Sequence, residues 1–144
     1  MNTLNIYLGT LRSDNTKKSY GKDLRYMLSY IGKNENEITL VDLLGWVNHM
    51  KENNNSTATI ARRVGSAKRY FEFLSDMDLI DTNPAKKLKA PRIVNKVEPP
   101  LTSEDVSNII ASATNPRDKA IVAMLASTGM RISELINITL SDFE

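Results

Sequence analysis

One arginine near the C-terminal end of the sequence has the setting of a phosphate ligand. Arg131 follows the turn residues Thr128 and Gly129, behind the apolar run Ala120–Ala126, and Glu134 comes three residues later. A guanidinium is permanently charged and offers five donors in a planar fork, which suits a phosphate better than it suits packing. The same spacing also fits a surface ion pair in the first turn of a helix. We therefore predict a helix start that presents Arg131, with Glu134 as its support.

Three groups of basic and hydroxyl side chains could contact DNA phosphates. One lies at the start of a predicted helix, where N–H groups and hydroxyls favour phosphate; it comprises Thr16, Lys17, Lys18, Ser19 and Lys22. Another lies on the longest predicted helix, with small residues between cations that share a face; it comprises Arg62, Arg63, Ser66 and Arg69. The third is a basic stretch that ends at Lys96. Each group also fits a cap or a solvated charged face, so the clusters alone leave DNA binding open.

Charge and composition narrow the classes of function. Residues 1–100 hold 16 Lys/Arg against 11 Asp/Glu, a net of +5, whereas residues 101–144 hold 3 against 6, a net of −3. A separate cationic region is expected where a protein meets a polyanion. The sequence has no cysteine and one histidine, so we expect no disulfide, no metal site of the usual zinc types and no cofactor. We see no signal peptide and no bilayer-spanning apolar run, and we expect a cytoplasmic protein without a membrane partner.

Proline, glycine and capping residues predict an all-α chain in two units. We predict a helical first unit over residues 1–90, an extended basic Pro-rich linker over 91–100, and a second unit over 101–144. Nothing in the sequence has the strict alternation of a strand. Capping-box analogues predict two helix starts, at Thr39 with Asp42 and at Thr102 with Asp105. Asn115-Pro116 predicts a third start, and Asn83-Pro84 predicts a short last helix in the first unit.

The apolar pattern of the two best-defined helices predicts the core of the first unit. The longest helix has a 4-3-4-3 spacing of core positions: Ile60, Val64, Ala67, Phe71 and Leu74. The helix before it carries Leu43, Leu44, Trp46, Val47 and Met50, with Trp46 as the largest anchor. In the second unit we expect Val106, Ile109 and Ile110 to face inward.

Separated stretches of this sequence resemble the tyrosine recombinase (phage integrase, Xer-like) family. Asn15–Leu24 resembles the opening of the family's core-binding domain, a SAM-like helical bundle, and Tyr70–Leu74 with Asn83–Ala85 resembles its end. Leu101–Val106 and Thr128–Leu135 are similar to the start of the catalytic domain and its first active-site box. The last of these stretches is the specific one. Together they cover nearly all of this chain and about half of a family member.

The resemblance implies a fold and a chemistry. The fold would be the SAM-like bundle, a linker, and the first helices of a mixed α+β catalytic domain. The chemistry would be DNA strand exchange through a covalent 3′-phosphotyrosyl intermediate, without metal or nucleotide, carried out by several protomers on double-stranded DNA. Arg131 would match the first catalytic arginine, which clamps oxygens of the scissile phosphate as charge develops, and Glu134 would be its structural support.

The remaining active-site residues of that family have no counterpart here, because no Lys, His or Tyr follows Arg131. We therefore expect this chain to bind DNA without cleaving it. We also expect it to be an excised part of a longer recombinase, since a natural truncation would leave apolar surface of the catalytic domain uncovered. Two alternatives stay open: a regulator that only binds DNA, and a helical protein-interaction module whose basic face is solvated.

Overall fold

The computed structural model describes residues 3–94 and 99–143. They fall into two compact units that divide between Asn95 and Lys96, within the predicted linker. All regular elements of the described residues are helical, as predicted. The linker bounds, 91–100, stay a prediction, because residues 95–98 lie outside the described residues. No helix in the described ranges is long and apolar enough to cross a bilayer.

The described part of the first unit is built from four α-helices. They are α1 (Thr3–Thr10), α2 (Asp14–Ile31), α3 (Leu40–Glu52) and α4 (Thr57–Asp76), with a 3-10 helix at Glu35–Glu37 between α2 and α3. Helices α2 and α4 pack against each other, and both contact α1 and α3. The pair α2–α4 is therefore the centre of the bundle, and it carries both helical groups of predicted DNA contacts.

Local hydrogen bonds at the helix ends explain where these helices start and stop. The hydroxyl of Ser13 accepts from the backbone of α2, and that of Ser56 accepts from the backbone of α4, which supplies partners for otherwise unpaired N–H groups. Gly32 ends α2 in the left-handed conformation with φ 65°, a conformation that costs glycine little.

The core of the first unit follows the predicted pattern of α4. All five predicted positions of α4 are buried, and Trp46 is fully buried among them. The prediction is wrong for Leu44, whose side chain is exposed. The buried face of α3 is formed by the residues at 43, 46, 47 and 50. Side chains at these helical spacings share one face, and position 44 lies off it.

The short helix predicted at Asn83-Pro84 is also wrong. Residues 84–87 form a turn. The side chain of Asn83 accepts from the backbone N–H of Ala85 at 2.9 Å, a local bond that competes with helix formation. Ala85 and Leu88 are buried in the core of the first unit. A turn, and not a helix, therefore contributes these two side chains to the core.

The second unit contains three α-helices and a 3-10 helix in its described part. They are α5 (Ser103–Ser112), α6 (Pro116–Thr128), α7 (Ile132–Leu135) and the 3-10 helix Leu140–Phe143. The predicted starts at Thr102 and Asn115 are confirmed. Val106 and Ile110, as predicted, are partly buried and line an apolar groove with side chains of α6. The prediction is wrong for Ile109, which is 41% exposed. The groove is open, and no side chain that the structure describes between residues 99 and 143 is buried.

The capping box of α3 makes the first unit sensitive to acid. Hydrogen bonds from Lys33, at 2.8 Å, and from the backbone of Thr39 lower the pKa of Asp42 to about 2. Because the folded-state pKa is depressed, this stabilisation is complete above the unfolded value near 4 and is lost as the pH falls towards 2. We expect the urea midpoint to drop across this interval.

The variant Asp42→Asn checks this acid sensitivity. It should lower the midpoint at neutral pH by the equivalent of about 1 kcal/mol and flatten its dependence between pH 4 and 2. The matched substitution at the exposed Asp76 should leave the acid dependence as it is. An equally steep acid dependence in Asp42→Asn would contradict this assignment.

Candidate nucleic-acid interface

Two of the predicted groups of DNA contacts meet where α2 packs on α4. Nη1 of Arg62 on α4 donates to Oγ of Ser19 on α2 at 2.9 Å. Lys22 lies one turn from Ser19 on α2, and Lys18 lies one turn before Lys22. The packing therefore joins residues from positions 18–22 and position 62 into one surface, which the sequence had offered only as separate clusters.

A buried carboxylate lies directly behind this surface. Asp23 of α2 is buried, and its Oδ2 accepts a hydrogen bond from Nη1 of Arg62. Its other oxygen lies 3.6 Å from Nε of Arg63. Burial raises the pKa of Asp23, and the two guanidinium groups counteract part of that effect. Facing two permanent positive charges, Asp23 is held as the anionic partner of both arginines.

Sequence reasoning did not identify Asp23 as a site residue. It lies within Asn15–Leu24, one of the stretches that resemble the family, and the sequence predicts no separate role for it. A signal for its burial was present, because Asp23 lies beside Leu24 and between Tyr20 and Met27 on the apolar stripe of α2. A carboxylate on such a stripe has to be buried with a partner.

Arg63 points inward, unlike its neighbour Arg62. Its guanidinium lies 4.4 Å above the ring of Tyr26, and its Nη1 donates to Oδ1 of Asn55 at 3.1 Å. Its side chain is only 16% exposed, against 45% for Arg62. Arg63 is therefore a structural contact between α2 and α4 in this conformation.

Ser66 is buried as well, and its hydroxyl donates to the backbone carbonyl of Arg63 at 2.9 Å. A buried hydroxyl cannot reach a phosphate without rearrangement of the helix pair. We leave both Arg63 and Ser66 out of the proposed contact surface.

The remaining predicted residues differ in how they are held. Thr16 donates its backbone N–H to the cap at Ser13, and Lys17 pairs with Asp14 at 3.2 Å. The position of Lys96 lies outside the described residues. The other side chains reach the surface of α2 and α4, and we call them the basic face: Lys18, Ser19, Lys22, Arg62 and Arg69.

The second unit presents Arg131 as predicted. Gly129 ends α6 with φ 67° and Arg131 is the residue that precedes α7. The carboxylate of Glu134 accepts from the backbone N–H of Arg131 at 2.7 Å and from its guanidinium at 3.0 Å. The Arg131 side chain is 82% exposed. Glu134 thus fixes the backbone and the guanidinium together, while most of the fork faces solvent.

The described residues contain no cluster of His, Asp and Glu able to hold a metal ion. His49, on α3, stacks on Tyr30 with ring centroids 4.4 Å apart. This contact places His49 between α2 and α3.

Comparison with known proteins identifies the family to which the chain belongs. A family model described as "Phage integrase, N-terminal SAM-like domain" matches residues 4–77. The chain is 34% identical over 140 residues to the tyrosine recombinase XerD of Halalkalibacterium halodurans, a match that covers 90% of this chain and 47% of that protein. It is 33% identical over 146 residues to a tyrosine recombinase of Thermosipho africanus, covering 94% of this chain and 52% of the relative.

Two solved structures of recombinases and integrases are also similar to this chain. The integrase of mycobacterium phage Brujita shares the fold, with a TM-score of 0.60 at 20% identity over 92% of this chain and 47% of that one. The XerA recombinase matches with a TM-score of 0.50 at 25% identity over 99% of this chain and 50% of its own. The chain spans about half the length of the curated relatives that it matches. It belongs to the phage integrase family of tyrosine recombinases and carries the family's N-terminal SAM-like domain.

Proposed function

We propose that the first unit binds double-stranded DNA through the basic face and that the chain is the DNA-binding portion of a site-specific tyrosine recombinase. One observation carries the proposal: packing of α2 on α4 joins Arg62 to Ser19 and so gathers two groups of predicted phosphate contacts on one surface. The parent protein would catalyse DNA integration or recombination by strand exchange, acting with further protomers on the same DNA in the cytoplasm.

Charge and exposure support this assignment. The basic face offers cations and one hydroxyl, which are the side chains that proteins use to contact phosphate oxygens. Lys18 and Lys22 have no ion-pair partner among the described residues and are exposed. Such contacts release counterions from DNA and fix the position of the protein without reading sequence. The expected binding is therefore weak and strongly dependent on salt.

For the second unit we propose that Arg131 contacts the scissile phosphate in the parent recombinase and that Glu134 supports it. The two bonds to Glu134 hold Arg131 at the start of α7 with its outer donors exposed. A fork held in advance can bind two phosphate oxygens without further ordering. Among the described residues, no other side chain is assigned a part in the chemistry of strand cleavage.

Single substitutions on α4 test the proposed interface. We expect Arg62→Ala and Arg69→Ala each to reduce the slope of log affinity against log salt by about 1, because each removes one phosphate contact. Fluorescence anisotropy with a short labelled duplex measures the slope. Lys51→Ala removes an exposed lysine of α3 and serves as the control, with an unchanged slope. Unchanged slopes in both arginine variants would remove α4 from the interface and favour a protein-interaction module with a solvated basic face.

Substitution of Arg131 is expected to behave differently. Arg131→Ala should change the affinity of this chain for duplex DNA by less than about twofold, because no Lys, His or Tyr follows Arg131 to complete the phosphate site that the family resemblance implies, and Arg131 lies in a region of net charge −3. The same anisotropy titration measures the effect. A loss as large as that of Arg62→Ala would show that Arg131 is a main DNA contact of this chain.

A further inference from the structure

We propose that Asp23 is a positioning residue for DNA binding. Its buried carboxylate holds the guanidinium of Arg62 beside Ser19, so that the outer edge of that guanidinium faces a DNA phosphate. The inference rests on the proposed DNA-binding function and adds to it a residue that does not itself touch DNA.

The two arginines beside Asp23 make different contacts. Arg63 is enclosed by the ring of Tyr26, the amide of Asn55 and the carboxylate of Asp23. Arg62 uses one nitrogen, Nη1, for both Asp23 and Ser19. Its Nε and Nη2 have no hydrogen-bond partner among the described residues, and its side chain is 45% exposed. The inner arginine therefore balances the buried carboxylate, and the outer one keeps donors for an anion.

The charges of this cluster favour an anionic ligand. Two guanidinium groups and one carboxylate leave a net charge of one positive unit at the surface of α2 and α4. A buried carboxylate is stable only with partners, so it holds Arg62 in place before any ligand arrives. An unrestrained arginine would lose rotamer freedom on binding a phosphate. A guanidinium that is already ordered loses less of this freedom, and its affinity rises accordingly.

The direction of the effect of Asp23→Asn distinguishes positioning from simple charge. The substitution keeps the shape of the side chain and makes the protein more positive by one unit, so long-range electrostatics alone would strengthen DNA binding. If Asp23 positions Arg62, binding instead weakens by roughly three- to tenfold, and the salt slope falls by about 1. Asp76→Asn adds the same charge at an exposed position of α4 and is the matched control.

A double-mutant cycle completes the test. We expect Arg62→Ala to weaken binding in the wild-type background and to add little in the Asp23→Asn background, because Arg62 is already unrestrained there. Circular dichroism and thermal unfolding establish that each variant is folded at the temperature of the titration. Asp23→Asn binding as tightly as Asp76→Asn, or additive losses from Asp23→Asn and Arg62→Ala, would overturn the proposal.

Two further measurements keep the proposal testable if Asp23→Asn does not fold. Arg62→Lys keeps the charge but replaces the planar fork with a compact ammonium on a flexible stem, which cannot hold Asp23 along one edge and present a second edge to a phosphate. We expect it to bind DNA more weakly than wild type, and equal affinity would overturn the proposal. In the protein without DNA, NMR relaxation of the Arg62 Nε–H group should show restricted motion, and free rotation would overturn it.

The outcomes also separate this inference from the proposed function. If the wild-type chain does not bind duplex DNA, the proposed function fails and the role of Asp23 fails with it. If the wild-type chain binds with the expected salt dependence while Asp23→Asn behaves like Asp76→Asn, only the role of Asp23 is refuted.

Discussion

Replacing Trp46 with alanine is expected to remove a large share of the stability of the first unit. Trp46 is the largest fully buried side chain of the chain's described residues, and it packs in the core between α3 and its neighbours. Removing a buried tryptophan costs about 3–5 kcal/mol through lost transfer energy and the cavity left behind. A domain of this size is stabilised by only about 5–15 kcal/mol. Urea denaturation followed by far-UV circular dichroism measures the loss, since the variant has no tryptophan left for fluorescence.

A conservative variant at the same position serves as the control. Nε1 of Trp46 is buried and has no hydrogen-bond partner among the described residues. A buried unpaired donor costs about 1–3 kcal/mol, and phenylalanine removes it while keeping an aromatic ring. We expect Trp46→Phe to change stability by less than about 1.5 kcal/mol, because the gain from removing the donor offsets the smaller volume. A loss in Trp46→Phe as large as in Trp46→Ala would contradict this account of the core.

Removing the cations of the basic face together is expected to abolish DNA binding. The combined variant replaces Lys18, Lys22, Arg62 and Arg69 with alanine. Nonspecific binding comes almost entirely from phosphate contacts, and a surface with about four of them has little other affinity to retain. We expect no measurable binding to a short duplex even at about 50 mM salt. Anisotropy titration of a labelled duplex measures the effect.

A charge-matched variant tests whether position or net charge is responsible. It replaces four exposed basic residues outside α2 and α4 with alanine: Lys51, Lys86, Arg117 and Lys119. Its net charge equals that of the combined variant. We expect it to retain most of the affinity, because its side chains lie off the basic face. If the two variants lose binding equally, affinity follows net charge alone, and the basic face has no special role.

The sequence was sufficient to predict features that depend on local pattern. The period of α4 predicted its buried face, since every residue of that face lies within one helix. Thr39, Thr102 and Asn115 predicted helix starts, because a cap is a bond across three residues. The prediction of a helix at Asn83 was wrong because the side chain of asparagine can cap a helix or accept a hydrogen bond within a turn. Burial of Ala85 and Leu88 favours the turn.

The pairing of the two arginines with Asp23 could not be predicted from the sequence. Helical period places Arg63 nearer than Arg62 to the buried face of α4, because Arg63 lies three residues after Ile60 and four before Ala67, but it does not say which side chain each arginine contacts. Their roles depend on Asp23, which lies 39 residues before Arg62 and reaches it only when α2 packs on α4. A contact between residues on two separate helices produces no recognisable spacing in the sequence.

The most direct test of the central claim is the affinity of the wild-type chain for a short DNA duplex between about 50 and 200 mM salt. If the basic face makes about four phosphate contacts, the slope of log affinity against log salt will be near −3.6. A slope of that order supports DNA binding through α2 and α4. Binding that is absent at the lowest salt, or that does not change with salt, would contradict it.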